Sequence, residues 1–168
     1  RTRLAELTAE LRSGTPHGVL RTMRENTMTQ TLLPALKKHP FVAEFQPEHV
    51  DLLATLAKEV HFDEGQVIFH EGDLFSVFYL LSEGMVALEL EEPDHVLRVQ
   101  TLYAGDELDW SAVLPNAGKH FQARALRPVT ALAFEGAQLL ESFKRHPDFG
   151  VAFMLRLLGV GDSIIAGV

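Results

Sequence analysis

Cysteine is absent from this sequence. That excludes disulfides, thiolate zinc sites, cysteine nucleophiles and iron–sulfur clusters held by Cys, and it agrees with a cytoplasmic setting. Long apolar runs are lacking too. No stretch approaches the roughly 18 apolar residues of a membrane-spanning helix, so no membrane association is expected. Arg1–Arg12 is charged throughout and has no apolar middle, unlike a cleavable signal. Positive charge is scarce where a nucleic acid would need it. Residues 1–40 carry seven Lys/Arg against three Asp/Glu, residues 41–100 carry two against thirteen, and the remainder carries six against seven. An acidic middle repels a phosphate backbone, and the basic N-terminus is too sparse for a binding arm. Nucleic-acid binding by these residues is not expected.

The 168 residues suffice for one domain with a substantial core and some extra helix. Leu4, Leu7 and Leu11 fall on one helical face, and a second helical stretch spans Gly18–Glu25. Residues 1–27 therefore read as a helical arm, and 28–168 as the main domain. Within it, Thr29–Lys38 predicts a helix with Leu32, Leu33 and Leu36 inward, stopped at His39-Pro40. Pro47 opens another helix, with Val50, Leu53, Leu56 and Ala57 in register.

From Glu59 the period shortens. Val60–Phe62, Val67–Phe69, Phe78–Leu81, Met85–Leu90, Val96–Leu102 and Phe121–Phe134 read as short strands, the last broken at Arg127-Pro128. Between them lie the turns Asp63-Glu64-Gly65, Glu71-Gly72-Asp73 and Ser82-Glu83-Gly84. Many short strands imply an antiparallel sandwich or barrel such as a jelly roll, here over about residues 59–135. Helices return over about 136–168, at Gln138–His146 and at Phe149–Leu158. The fold class is thus mainly β with flanking helices.

Three motifs then carry a resemblance. Phe62–Asp73 (FDEGQVIFHEGD) resembles the F-x-x-G-x-x-I-x-x-x-G-D run of cyclic-nucleotide-binding domains. Phe78–Val86 is similar to their F-Y-x-I-x-x-G-x-V hairpin, and Leu102-Tyr-Ala-Gly105-Asp106 to the L-x-x-G-D that enters the phosphate-binding cassette. The glycines suit places where strands reverse and φ is positive. Together the motifs cover about Pro40–Leu158, and the resemblance implies an eight-stranded β-roll flanked by helices, as in the sensory half of catabolite-activator-type regulators. No helix-turn-helix follows within these residues.

The resemblance also implies a site. In the family's G-D-x-F-G-E-x-A-L cassette, backbone N–H groups and an Arg hold the cyclic phosphate while the Glu holds the ribose hydroxyl. Here Asp109 stands at the family Gly and Trp110 at the family Glu. Lys119 stands at or near the Arg, and His120 takes the place of the small residue after it. Asp109 adds negative charge, Trp110 cannot accept a hydrogen bond, and Lys119 lacks the bidentate fork. All three work against cyclic AMP or GMP. The stretch from Trp110-Ser111 to His120-Phe121-Gln-Ala-Arg124-Ala125-Leu126 is similar to a bacterial subgroup with a G-W-S-W-L-x-P-P…H-F-x-A-R-A-L cassette, which implies a cassette type but no particular ligand.

Trp110, Ser111, Lys119 and His120 are candidates to line a pocket walled by Leu88, Val99 and Leu102, suited to a planar or anionic small molecule. The alternative is that Trp110 fills the vacated space, with Asp109 as a helix N-cap. His61, His70 and His120 fall on separate strands, without the H-x-H spacing of a metal-binding cupin, and Glu89–Asp94 reads as a solvated hairpin tip. Neither a metal nor a cofactor is expected. Ser82, Ser111 and Ser163 lack an elbow motif, and no paired carboxylates flank a base, so no enzyme is expected. A regulatory, sensory or interaction module follows, with a protein partner or a homodimer, the latter paired through Phe149–Leu158 as the resemblance implies. The alternatives are the sensory half of a transcription regulator and a ligand-free scaffold.

Overall fold

The computed structural model describes residues 32–74, 76–114 and 118–159. The expected arm at residues 1–27 lies outside them. Helix α1 spans residues 32–38 and buries Leu32 and Leu36, one turn apart. It ends where His39, preceding a proline, turns extended at φ −77°, ψ 132°. A single 3-10 turn, Pro40–Val42, then inserts Phe41 into the core. Helix α2, Pro47–Leu56, starts on its proline and buries Val50, Leu53 and Ala54.

Six strands follow: β1 Lys58–Phe62, β2 Val67–Phe69, β3 Val77–Glu91, β4 Val96–Tyr103, β5 Glu107–Leu108 and β6 Gln122–Glu135. All pair antiparallel in the order β1-β6-β3-β4, with β2 on β6 and β5 on β3. Helices α3, Gly136–Arg145, and α4, Pro147–Leu157, follow β6.

The two expected breaks at Ser82-Glu83-Gly84 and Arg127-Pro128 are not turns. They are one bend, shared by two continuous strands. Register shifts cluster there, between Leu81 and Val86 on β3. Gly84 has φ 98°, and a Cβ on it would stand 2.3 Å from the Pro128 carbonyl oxygen. Glycine lets the strands touch, and proline is tolerated because a bulge needs no ladder N–H.

The alternation along β3 separates two cores. Phe78 and Leu80 face the helices, where they meet Leu36, Phe41, Leu53, Phe134, Phe149 and Phe153. Leu81 and Val86 join Leu102, Leu108, Ala123, Ala125, Val129 and Ala131 among the strands. Phe153 binds the first core together, packing within 5.0–5.2 Å of the rings of Phe41, Phe78 and Phe143. The strand core is made of smaller residues and leaves room beside it.

Candidate ligand cavity

That room is a cavity of about 300 Å³ between β2, the inner ends of β3 and β4, and the segment that follows β5. Of the residues expected there, it brings together Leu88, Leu102, Asp109, Trp110, Ser111, Lys119 and His120. Val99 is not among them. A bulge opposite Leu88/Glu89 leaves Val99 without a β3 partner, and it is 42% exposed. Gln100 lines the cavity instead, two residues from Leu102 on the same face.

The segment after β5 is built around one unusual residue. Asp109 adopts φ 65°, ψ 58°, the sole non-glycine at positive φ among the described residues. Such a conformation costs on the order of 1 kcal/mol, and Asp tolerates it better than most residues. It occupies the expected N-cap position of the short 3-10 helix Trp110–Val113, but its side chain makes no capping hydrogen bond there. The left-handed turn instead swings the carboxylate inward. Oδ1 accepts a hydrogen bond from Ser111 Oγ at 2.5 Å, and Oδ2 is in direct contact with Lys119 Nζ. Both partners of this ion pair are almost fully buried.

Lys119 is held from several sides. Its carbonyl accepts from Gly72 N–H at 3.0 Å, and its ammonium lies 4.7 Å from the centre of the Phe69 ring. Burial pulls the ammonium down to about 8, with the Asp73 carboxylate opposing that fall; the Asp109 carboxylate works in the same opposing sense.

Trp110 does not fill the space. It is 58% exposed, at the rim of an open cavity, while Ala112 and Val113 are buried in the aromatic core. The 3-10 helix rests against the start of α3, where a Cβ on Gly136 would stand 2.2 Å from the Ala112 carbonyl oxygen.

Beside the cavity, the supposed solvated tip begins with a buried residue. Glu89 is 5% exposed and accepts hydrogen bonds from Gln122 Nε2 at 3.0 Å and Arg124 Nε at 3.2 Å. Arg124 also donates to the Gly65 carbonyl at 3.2 Å. This network ties β3 to β6 and to the turn before β2.

Sequence reading missed Phe69, Asp106, Glu107, Leu108 and Phe121 as lining residues. For Leu108 a signal existed, namely its alternation with Asp106 along the entry to the cassette. Phe69 and Phe121 carried none, because their placement depends on how β2 and β6 pair. His61, His70 and His120 do not converge; among the described residues no group of three or more His, Cys, Asp or Glu could hold a metal ion. No helix among them is long and apolar enough to cross a membrane.

Comparisons with known proteins agree with this architecture. The family model described as cyclic nucleotide-binding domain matches residues 59–146. A Geobacter metallireducens GS-15 protein described as cyclic nucleotide-binding superposes with a TM-score of 0.68 at 25% identity, over 75% of this chain and 92% of that one. The catabolite activator protein of Thermus thermophilus gives a TM-score of 0.61 at 23% identity, over 71% of this chain and 56% of its own. A cAMP/cGMP-dependent 3′,5′-cAMP/cGMP phosphodiesterase B of Dictyostelium discoideum is 28% identical over 106 residues, 58% of this chain. The match spans only 9% of that long protein.

Proposed function

The chain belongs to the cyclic nucleotide-binding domain family, and from that premise we propose that it is a non-enzymatic regulatory module whose cavity takes a small molecule other than a cyclic nucleotide. One observation carries the reading: the buried contact of Asp109 with Lys119 and Ser111. Lys119 stands at or near the place where the family resemblance implies the phosphate-neutralising cation, and Asp109 already pairs with it from within the chain. An incoming cyclic phosphate would have to displace a covalently tethered carboxylate and then share the space with it. Two anions in one poorly solvated site repel strongly. Trp110, at the position implied for the ribose-binding Glu, offers an N–H but no acceptor.

The cavity is nevertheless open, with an apolar floor and an aromatic rim, which is the general form of a small-molecule site. The same fold in a catabolite activator protein supports a regulatory role. On the lining Ser111 Oγ donates to Asp109, but that carboxylate is engaged by the Lys119 ammonium and Ser111 is buried, which favours binding over turnover.

Thermal denaturation with cyclic AMP and cyclic GMP tests this. At millimolar concentrations neither should move the midpoint. A ligand present at 100 times its Kd would add about 2.7 kcal/mol, a shift of several degrees for a domain of this size. A concentration-dependent rise with either nucleotide would overturn the reading.

A further inference from the structure

The polarity of the cavity wall goes one step further and names a class of ligand; the step rests on the ligand-binding reading above. Asp106, Glu107, Asp109 and Lys119 stand on the boundary of the cavity, yet none of them offers its interior an unmatched charge. Lys119 and Asp109 cancel, being in direct contact. Glu107 pairs with Leu80 across β5 and β3, and Leu80 belongs to the helix-side core. Residues directly opposite on paired strands share a face, so the Glu107 carboxylate is directed away from the cavity floor. Leu108, opposite Tyr79, takes the other face and joins the strand-side core. Asp106 is engaged elsewhere too: its Oδ2 accepts from the Tyr103 N–H at 2.8 Å, and its charge acts on His39.

What remains on the wall is apolar, aromatic and hydrogen-bonding. Leu88, Leu102 and Leu108 form the floor. Trp110 and Phe121 stand exposed at the mouth, where a flat ring can stack on them. Gln100 stands opposite Leu88 in the ladder and two residues before Leu102, on the cavity side of β4. Its side chain enters no hydrogen bond among the described residues. A primary amide carries a donor and an acceptor side by side and no charge. The His120 imidazole, also exposed on the lining, adds a second group able to donate or accept.

We propose that the cavity takes an uncharged, flat aromatic molecule with an amide-like edge: the ring lies against Trp110, Phe121 and the leucine floor, and the edge exchanges hydrogen bonds with the Gln100 amide. A volume of about 300 Å³ is at the small end of ligand pockets and suits a compact ring system. An anion finds Lys119 already engaged, and a cation finds no carboxylate turned toward it. Either ion gives up its water without gaining a partner of opposite charge.

Trp110 is the single tryptophan of the sequence, so its emission reports the site directly. The probes are benzamide, benzoate and benzylamine, which are similar in size and neutral, negative and positive at pH 7, with toluene as the ring alone. Benzamide should change the Trp110 emission saturably and bind roughly tenfold tighter than either ion. Gln100→Met keeps the length of the side chain and removes its donor and acceptor. It should weaken benzamide about fivefold, leave toluene unchanged and keep the thermal midpoint of the wild type. The assignment is overturned, while the cavity stands as a ligand site, if either ion binds as tightly as benzamide or if toluene alone saturates. It is overturned equally if Gln100→Met weakens benzamide and toluene alike, or weakens neither. If no probe gives a saturable change, the ligand-binding reading falls, and this assignment falls with it.

Discussion

Asp109 carries more of the account than any other residue. Its position in the cassette was legible from the sequence; its partner was not. The spacing from Gly105-Asp106 identifies where a departure from the family pattern occurs, but that the carboxylate turns inward depends on a left-handed backbone at φ 65°. No periodicity reports such a conformation. The pair it forms with Lys119 is buried, so removing one charge strands the other. Asp109→Asn keeps the size and the tolerance of positive φ and should destabilise the domain by about 3–5 kcal/mol in chemical denaturation. The sign of the pH dependence then follows from Lys119, whose ammonium burial holds down to about 8. Between that value and the ordinary lysine range, the unfolded chain keeps the proton that the folded one releases. The variant should therefore regain stability as pH rises above about 8. A variant as stable as wild type at pH 7 would show that the contact carries no net weight. Val99 and Glu89 show the opposite limit of legibility. A bulge one residue long exchanged Val99 for Gln100, and a buried three-residue network claimed a glutamate that the acidic run ELEEPD marks as solvated.

The elements themselves were more legible than their joints. Helix starts at Pro47 and stops before Pro40 follow from local sterics, and the strands follow from period-2 alternation. The bend shared by β3 and β6 reads in the sequence as a turn on one strand and a break in the other, because Gly84 and Pro128 carry turn and strand-breaking chemistry in isolation. Only their apposition across the sheet makes them a bulge. The 3-10 turn Pro40–Val42 is another joint, and His39 holds it to the sheet. The Phe41 N–H donates to His39 Nδ1 at 3.1 Å, which places the proton on Nε2, and Nε2 donates to the Leu81 carbonyl at 3.1 Å. Arg156 of α4 clasps the same turn through the Phe41 carbonyl at 3.1 Å. Burial lowers the His39 pKa, with Arg156 acting in the same sense; the carbonyl of Leu81, the Asp106 backbone and the Asp106 charge oppose it. A folded pKa below the unfolded 6.5 means that acid protonates the unfolded chain first, so the contribution of His39 is complete above pH 6.5 and declines below it. Urea midpoints measured from pH 7.5 to 5.5 should fall in wild type and fall less in His39→Gln, which can accept and donate at the same two places. Parallel pH profiles would remove His39 from the joint.

At the scale of the whole molecule, two cores divide the labour. Phe41, Phe78, Phe134, Phe149 and Phe153 fuse the helices to one half of the sheet, which makes that half rigid. The other half is lined by alanine, valine and leucine and opens onto the cavity. The 3-10 helix Trp110–Val113 joins them: Ala112 and Val113 pack in the aromatic core while Trp110 stands at the cavity rim. Gly136, at the head of α3, lets that helix approach the Ala112 carbonyl closely. A molecule bound against Trp110 is thus one short helix away from the core that holds α3 and α4. On the proposed reading that path is independent of which ligand the cavity takes, and the domain keeps its family architecture while replacing the phosphate chemistry. The replacement rests on Asp109 and Trp110, and isothermal titration of cyclic AMP into wild type and into the double variant Asp109→Gly/Trp110→Glu tests it most directly. Glycine accepts the left-handed turn without strain and frees Lys119, and the glutamate restores an acceptor at the rim. The account predicts saturable heat with the variant and none with wild type; equal binding by both, or binding by wild type alone, would contradict it.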